Sequence, residues 1–140
     1  MATFNKINQF VEDVAHGVHD LETDQIVVAL CASANAPVAT NTVLANLTEI
    51  AYTNLSSRNV TTTSSAETSG TYKLTLTDLV LTASGGSVAA FRYVVLYNDT
   101  PTTPADPLIG WYDYGSSLTL NDTETLTIDF DDAGGALTIV

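Results

Sequence analysis

The chain opens with one apolar stripe and then changes period. Phe4, Ile7, Phe10, Val11, Val14, Val18 and Leu21 recur at spacings of three and four, the pattern of one face of an amphipathic helix. Asn5, Asn8, Glu12, Asp13, His16 and Asp20 fall mostly on the other side, and Thr3 stands where an N-cap belongs. The spacing predicts a helix over 3–20, weakened by about 1 kcal/mol at Gly17 relative to alanine. Its stripe, Phe4, Ile7, Val11, Val14 and Val18, must bury itself against its own core or a neighbouring subunit, so these residues are candidate interface positions.

Beyond residue 24 the periodicity is that of strands. Gln25 to Leu30 is a short β run, 31–43 is loop around Pro37, and 43–51 suits either a helical turn or a poor strand. Strands are expected at 60–64, 72–77, 79–83, 88–97, 108–114, from 118 to 120, at 125–130 and at 137–139. Turns are expected at Ser69-Gly70, Gly115-Ser116, Asn121-Asp122 and 131–135, and Ser84 to Ser87 reads as a hairpin. About eight or nine short strands at roughly ten-residue intervals predict a mainly β chain, an antiparallel β-sandwich of jelly-roll type. The sequence is read as a single domain over 1–140, with the sandwich at 25–140 and one N-terminal amphipathic helix.

The richest segment is 91–114, FRYVVLYNDTPTTPADPLIGWYDY, which holds six of the eleven aromatics. Residues 91–97 are apolar on both faces apart from Arg92, so this strand is expected at the centre of a sandwich or under a partner. In the next strand Tyr112 and Tyr114 share a face opposite Trp111. Phe91 and Trp111 are read as core, and Tyr112 and Tyr114 as a candidate contact surface. The loop 98–107 carries Pro101, Pro104 and Pro107.

Charge narrows the partners. Sixteen acids against four bases give a net charge of −12, and Lys6, Arg58, Lys73 and Arg92 are scattered. Nucleic acid and anionic membrane are therefore not expected as ligands. Cys31 is the only cysteine, which rules out an intrachain disulfide. Residues 1–10 lack a continuous apolar stretch, so no secretion signal is expected and synthesis in a cytoplasm is the default.

Chemistry-bearing patterns are sparse. His16 and His19 stand at i, i+3 with Asp13 or Asp20 as further ligands, but the zinc-protease spacing is not met. Asp131 and Asp132 before Gly134-Gly135 resemble part of a calcium loop without its ligand spacing, and Asp99, Asp106 and Asp113 border the aromatic segment. Cys31 with a histidine is the one Cys–His combination. Each of these reads more simply as a polar helix face, a hairpin turn or a buried thiol. No catalytic, metal or cofactor site is assigned, no cofactor is expected, and the chain is not read as an enzyme.

Gly70 to Leu74 (GTYKL), Ser84-Gly85-Gly86, Phe91 to Asp99 (FRYVVLYND) and Pro107 to Gly115 (PLIGWYDYG) resemble segments of small structural proteins of tailed bacteriophages. The opening Phe4-Asn5-Lys6 with Phe10-Val11-Glu12 does so too. The nearest resemblance is to the jelly-roll cement, or decoration, proteins on the capsids of short-tailed phages, and it spans nearly the whole chain. It implies a virion protein, assembled in the host cytoplasm, that clamps neighbouring major capsid protein subunits against internal DNA pressure. A homo-oligomer, with a dimer favoured, is expected. A tail or head–tail component and a carbohydrate-binding jelly-roll module are the alternatives.

Overall fold

The computed structural model describes residues 2–140. Its ten strands are β1 (Phe4–Lys6), β2 (Ile26–Cys31), β3 (Asn59–Val60), β4 (Thr62–Thr68), β5 (Thr71–Leu76), β6 (Leu79–Thr82), β7 (Phe91–Asn98), β8 (Leu108–Leu118), β9 (Thr125–Ile128) and β10 (Leu137–Ile139). The one α-helix, α1, spans Gln9–Ala15. The strands form three antiparallel sheets in the orders β1-β8-β7-β2-β3, β10-β5-β4 and β6-β9, none closed into a barrel. The fold is thus mainly β, as the period-two runs predict.

Strand β7 is the spine. It pairs with β2 on one side and β8 on the other, and every residue except Arg92 is buried. All six residues of β2 are buried as well, which explains why Ile26 to Cys31 shows no polar alternation. Buried side chains from all three sheets merge into one cluster, among them Phe91, Leu96, Ile109, Leu74, Leu81 and Phe130.

Because β2 is covered on both faces, its outer edge cannot be left to water. Strand β3 pairs only with Ile26 and Val27. Beyond it the partners come from the segment before β3. Val28 donates its N–H to the Arg58 carbonyl at 3.0 Å, and the Arg58 guanidinium returns a bond to the Val28 carbonyl at 2.5 Å. Leu30 donates its N–H to the Tyr52 hydroxyl at 3.0 Å, and Ile50 donates to the Leu30 carbonyl at 2.9 Å. The Arg58 guanidinium lies 3.7 Å from the centre of the Tyr52 ring, and the Tyr52 hydroxyl donates to Glu49 at 2.5 Å. Two side chains and two backbone groups do the work of a missing strand.

The amino-terminal helix is much shorter than its stripe predicts. Phe4, Asn5 and Lys6 pair with Tyr112, Trp111 and Gly110 as an edge strand instead, and Ile7 continues with an N–H bond to the Ile109 carbonyl at 3.1 Å. Thr3 therefore caps nothing; Asn8 occupies the N-cap position. The far end is closed by Gly17, which has φ +72°. Gly17 donates to the Val14 carbonyl at 3.2 Å and Val18 to the Asp13 carbonyl at 2.8 Å, the paired bonds of a Schellman motif. The glycine that reads as a weak point inside a helix is its terminator.

Four other expectations are corrected. Ser84 to Ser87 turns the chain, with Gly85 and Gly86 at positive φ, but it joins no hairpin, because β6 pairs with β9 and β7 with β2 and β8. Leu79 and Leu81 match Ile128 and Leu126 across that pairing, so apolar complementarity outweighs sequence proximity. Gly115-Ser116 does not end β8, which runs to Leu118. The register jumps instead from Tyr93↔Asp113 to Phe91↔Leu118, a bulge in which Gly115 sits at φ +96° with its N–H on the Asp113 carboxylate at 2.8 Å. The run at 60–64 is divided between β3 and β4, which belong to different sheets. Ile139 is exposed, and only Leu137 of the last pair turns inward.

The stripe is accordingly split between core and surface: Ile7 is 0% exposed and Val11 54%. In equilibrium urea unfolding, Ile7→Ala is expected to cost about 2–5 kcal/mol. Val11→Asp is expected to stay within about 0.5 kcal/mol of the parent.

Candidate functional site

An open apolar groove runs where the five-stranded sheet meets β9 and the residues before β10. Its volume is about 560 Å³, within the usual size of ligand clefts, about 300–1,000 Å³. One wall is built by strand alternation. Phe4 and Val94 both sit opposite Tyr112 in the register, so the three side chains share a face, and Tyr114 extends the wall. Leu126, Ile128 and Ala136 form the facing wall, with Asp129 and Asp131 at the margin.

A glycine sets the depth of the first wall. A Cβ at Gly110 would lie 2.3 Å from the Phe4 ring and 2.7 Å from the Asn5 carbonyl. The missing side chain is therefore the space that Phe4 fills. Its ring then meets Tyr112 at 5.4 Å between centroids, tilted by 56°, and Tyr112 meets Phe130 at 6.4 Å. These are tilted aromatic contacts in the favourable distance range. The Tyr112 hydroxyl is pushed above the ordinary tyrosine value by burial and by Asp131. Tyr114 is 52% exposed, leaving its ring free at the mouth.

The seven residues singled out in the sequence do not form one face. Phe4, Tyr112 and Tyr114 come together in the groove. Ile7 lies in the core, Val14 and Val18 are half-buried, and Val11 is exposed on α1. Leu126, Ile128 and Ala136 were not singled out. The alternation of Leu126, Ile128 and Phe130 marks them as inward-facing, but period two does not say which strand they will face.

The other candidates are engaged structurally. Cys31 is fully buried, and its thiol is pushed up to about 11 by burial and Glu49, the opposite of an activated nucleophile. Asp131 accepts the Gly134 N–H on its carboxylate at 2.7 Å and the Gly135 N–H on its carbonyl at 2.8 Å. The 131–135 segment is thus a self-bonded turn, which Lys73 joins through the Ala133 carbonyl at 3.2 Å. Arg92 grips Asp113 with two bonds of 2.8 and 3.0 Å and holds its carboxyl below the usual range. Asp106 is shifted upward by burial and by neighbouring Asp99. Among the described residues no three metal-ligating side chains converge.

One buried polar cluster was not legible in the sequence. Asn98, with no exposed surface, donates from its amide to Asp24 at 2.6 Å and faces the His19 Nδ1 atom at 3.2 Å. The Asn98 oxygen accepts from Thr100 at 3.1 Å, which orients the amide and makes His19 Nδ1 an acceptor. The His19 ring meets Phe10 at 5.1 Å between centroids, tilted by 50°. His16, the other histidine, lies 3.7 Å from Glu12 on the exposed side of the helix end. The pair does not converge on a common site.

Compared with protein-family models, curated proteins and solved structures, the chain gives no match.

Burial holds His19 below its ordinary value of 6.5, against the opposing pull of Asp13 and Asp24. Protonation would also place a second N–H against the Asn98 amide donor. The unfolded chain takes up the proton more readily, so the contribution of His19 to stability is fully present above about pH 6.5 and declines as pH falls. Urea midpoints measured from pH 7.5 to 5 are expected to fall in the parent and to fall less in His19→Gln.

Proposed function

We propose that this protein is a non-enzymatic virion component that binds the outside of a phage capsid and cements neighbouring major capsid protein subunits. The observation that carries the reading is where three of the resembling segments lie. Phe4-Asn5-Lys6 is β1, Phe91 to Asn98 is β7 and Leu108 to Gly115 is most of β8. These three strands are contiguous in the five-stranded sheet, and they carry Phe4, Val94, Tyr112 and Tyr114 into the groove wall. Three of the segments that resemble the cement proteins therefore build one wall of an open, aromatic groove.

Physical features support the same reading. A cement protein must resist being pulled apart, and here the spine strand is paired on both sides and buried. Pairings distant in sequence (β1 with β8, β2 with β7, β5 with β10, β6 with β9) support a jelly-roll form of sandwich. Tight holding would come from many weak, repeated contacts around a shell, where simultaneous engagement raises effective concentration. Self-association as a dimer would add to this, with exposed Val11 on α1 as a candidate contact.

Adding the purified protein to undecorated capsids tests the reading. Saturable binding and a higher capsid melting temperature are expected. Unaltered melting with no binding would remove the capsid assignment, and detection only in separated tails would replace it with a tail role.

A further inference from the structure

We propose that the groove captures an extended segment of the partner protein as an added strand on β9, and that this segment alternates basic and apolar residues. The proposal rests on the docking reading in one respect, that the groove is the partner face.

The backbone of β9 is half used. Its neighbour is β6 on one side, and among the described residues no strand lies on the other. The direction of the free groups follows from β6. Thr82 donates its N–H to the Ser56 hydroxyl at 2.9 Å and accepts the Ser56 N–H at 3.0 Å. Thr82 therefore points its backbone away from β9, while Ala83 points toward it, with its N–H on the Glu124 carbonyl at 3.0 Å. Antiparallel pairs alternate between bonded and non-bonded. Leu81 and Leu79 are thus the residues bonded to Leu126 and Ile128, and Thr125 and Thr127 aim their N–H and C=O groups outward. Both threonines are exposed, and no other described group hydrogen-bonds to their backbones from the open side. Thr127 itself lines the groove. A strand laid there would gain main-chain bonds from β9 and place every second side chain against Tyr114, Leu126 and Ile128, the two components of recognition by strand addition.

Charge selects the occupant. Asp129 and Asp131 border the groove, and the chain as a whole carries −12. Three of its four cations are engaged: Arg92 with Asp113, Arg58 with the β2 edge and Lys73 with the Ala133 carbonyl. A second copy would bring the same −12 into the same groove, whereas a basic segment is attracted to it and its approach accelerated.

The test uses the intact protein and two blocked heptapeptides, one alternating lysine with valine and one alternating glutamate with valine. Calorimetry and amide hydrogen exchange are the readouts. The lysine peptide is expected to bind saturably and to slow exchange at the Thr125 and Thr127 amides, and the glutamate peptide to show no binding. Thr127→Pro removes an outward donor without touching the β6 bonds, and proline is tolerated at strand edges; it should weaken binding about tenfold, the worth of one lost hydrogen bond. Absence of saturable binding, equal binding of the two peptides, or unchanged exchange at both threonines would overturn the proposal. If Thr127→Pro fails to fold, the exchange result on the parent decides alone. Capsids separate the two readings. Equal capsid binding by parent and Thr127→Pro removes strand addition and leaves the cement role standing. Peptide binding by a protein that ignores capsids does the reverse.

Discussion

A strand buried on both faces has nowhere to leave an unpaired backbone group, and β2 is such a strand. An orphaned N–H or C=O in that position carries a desolvation penalty of about 1–3 kcal/mol. Strand β3 is too short to meet the need, covering two of six residues. The Arg58 and Tyr52 side chains complete the pairing, and Glu49 in turn anchors both, through a short hydroxyl bond and a 3.9 Å ion pair. Everything central depends on this seal. Without it β2 could not stand beside β7, and β7 could not serve as the doubly paired spine on which β8 and β1 are laid.

The two flanks of the molecule treat their edges in opposite ways. At β2 the edge is closed by side chains that imitate a strand and exclude competitors, one of several devices by which proteins avoid unwanted sheet growth. At β9 the edge is short and uncovered, and it opens beside aromatic and aliphatic walls. Short length limits the hazard of indiscriminate pairing. A chain that spends an arginine, a tyrosine and a glutamate on one edge and nothing on the other has placed its openness at a defined position.

Much of the strand content was legible because period two survives wherever one face meets water. Tyr72, Leu74 and Leu76 against Lys73 and Thr75 is such a case, and the apolar run of β7, broken only at Arg92, fits its place between β2 and β8. The failures share a cause: local pattern does not name a partner. Phe4, Ile7 and Val11 fit a helical stripe, but Phe4 has a better site over Gly110, and that space exists only once β8 is formed. Ser84 to Ser87 is a genuine turn, yet β6 finds its match more than forty residues later in β9. The same limit hid half of the groove. Tyr112 and Tyr114 stood out by composition, whereas Leu126 and Ile128 became groove residues only through the packing of separate sheets. The Asn98–His19–Asp24 cluster joins positions far apart in the chain, and no spacing rule reaches across them.

Strand β1 is three residues long, and Ala2 just before it lines the groove. Any polypeptide fused ahead of the chain would therefore emerge at the mouth of the groove, close enough to lie in it. An affinity tag of six histidines placed there would be held near the aspartates at high local concentration. Val140, 99% exposed at the far end of β10, has no contact that a label, a fluorophore or a displayed cargo would break.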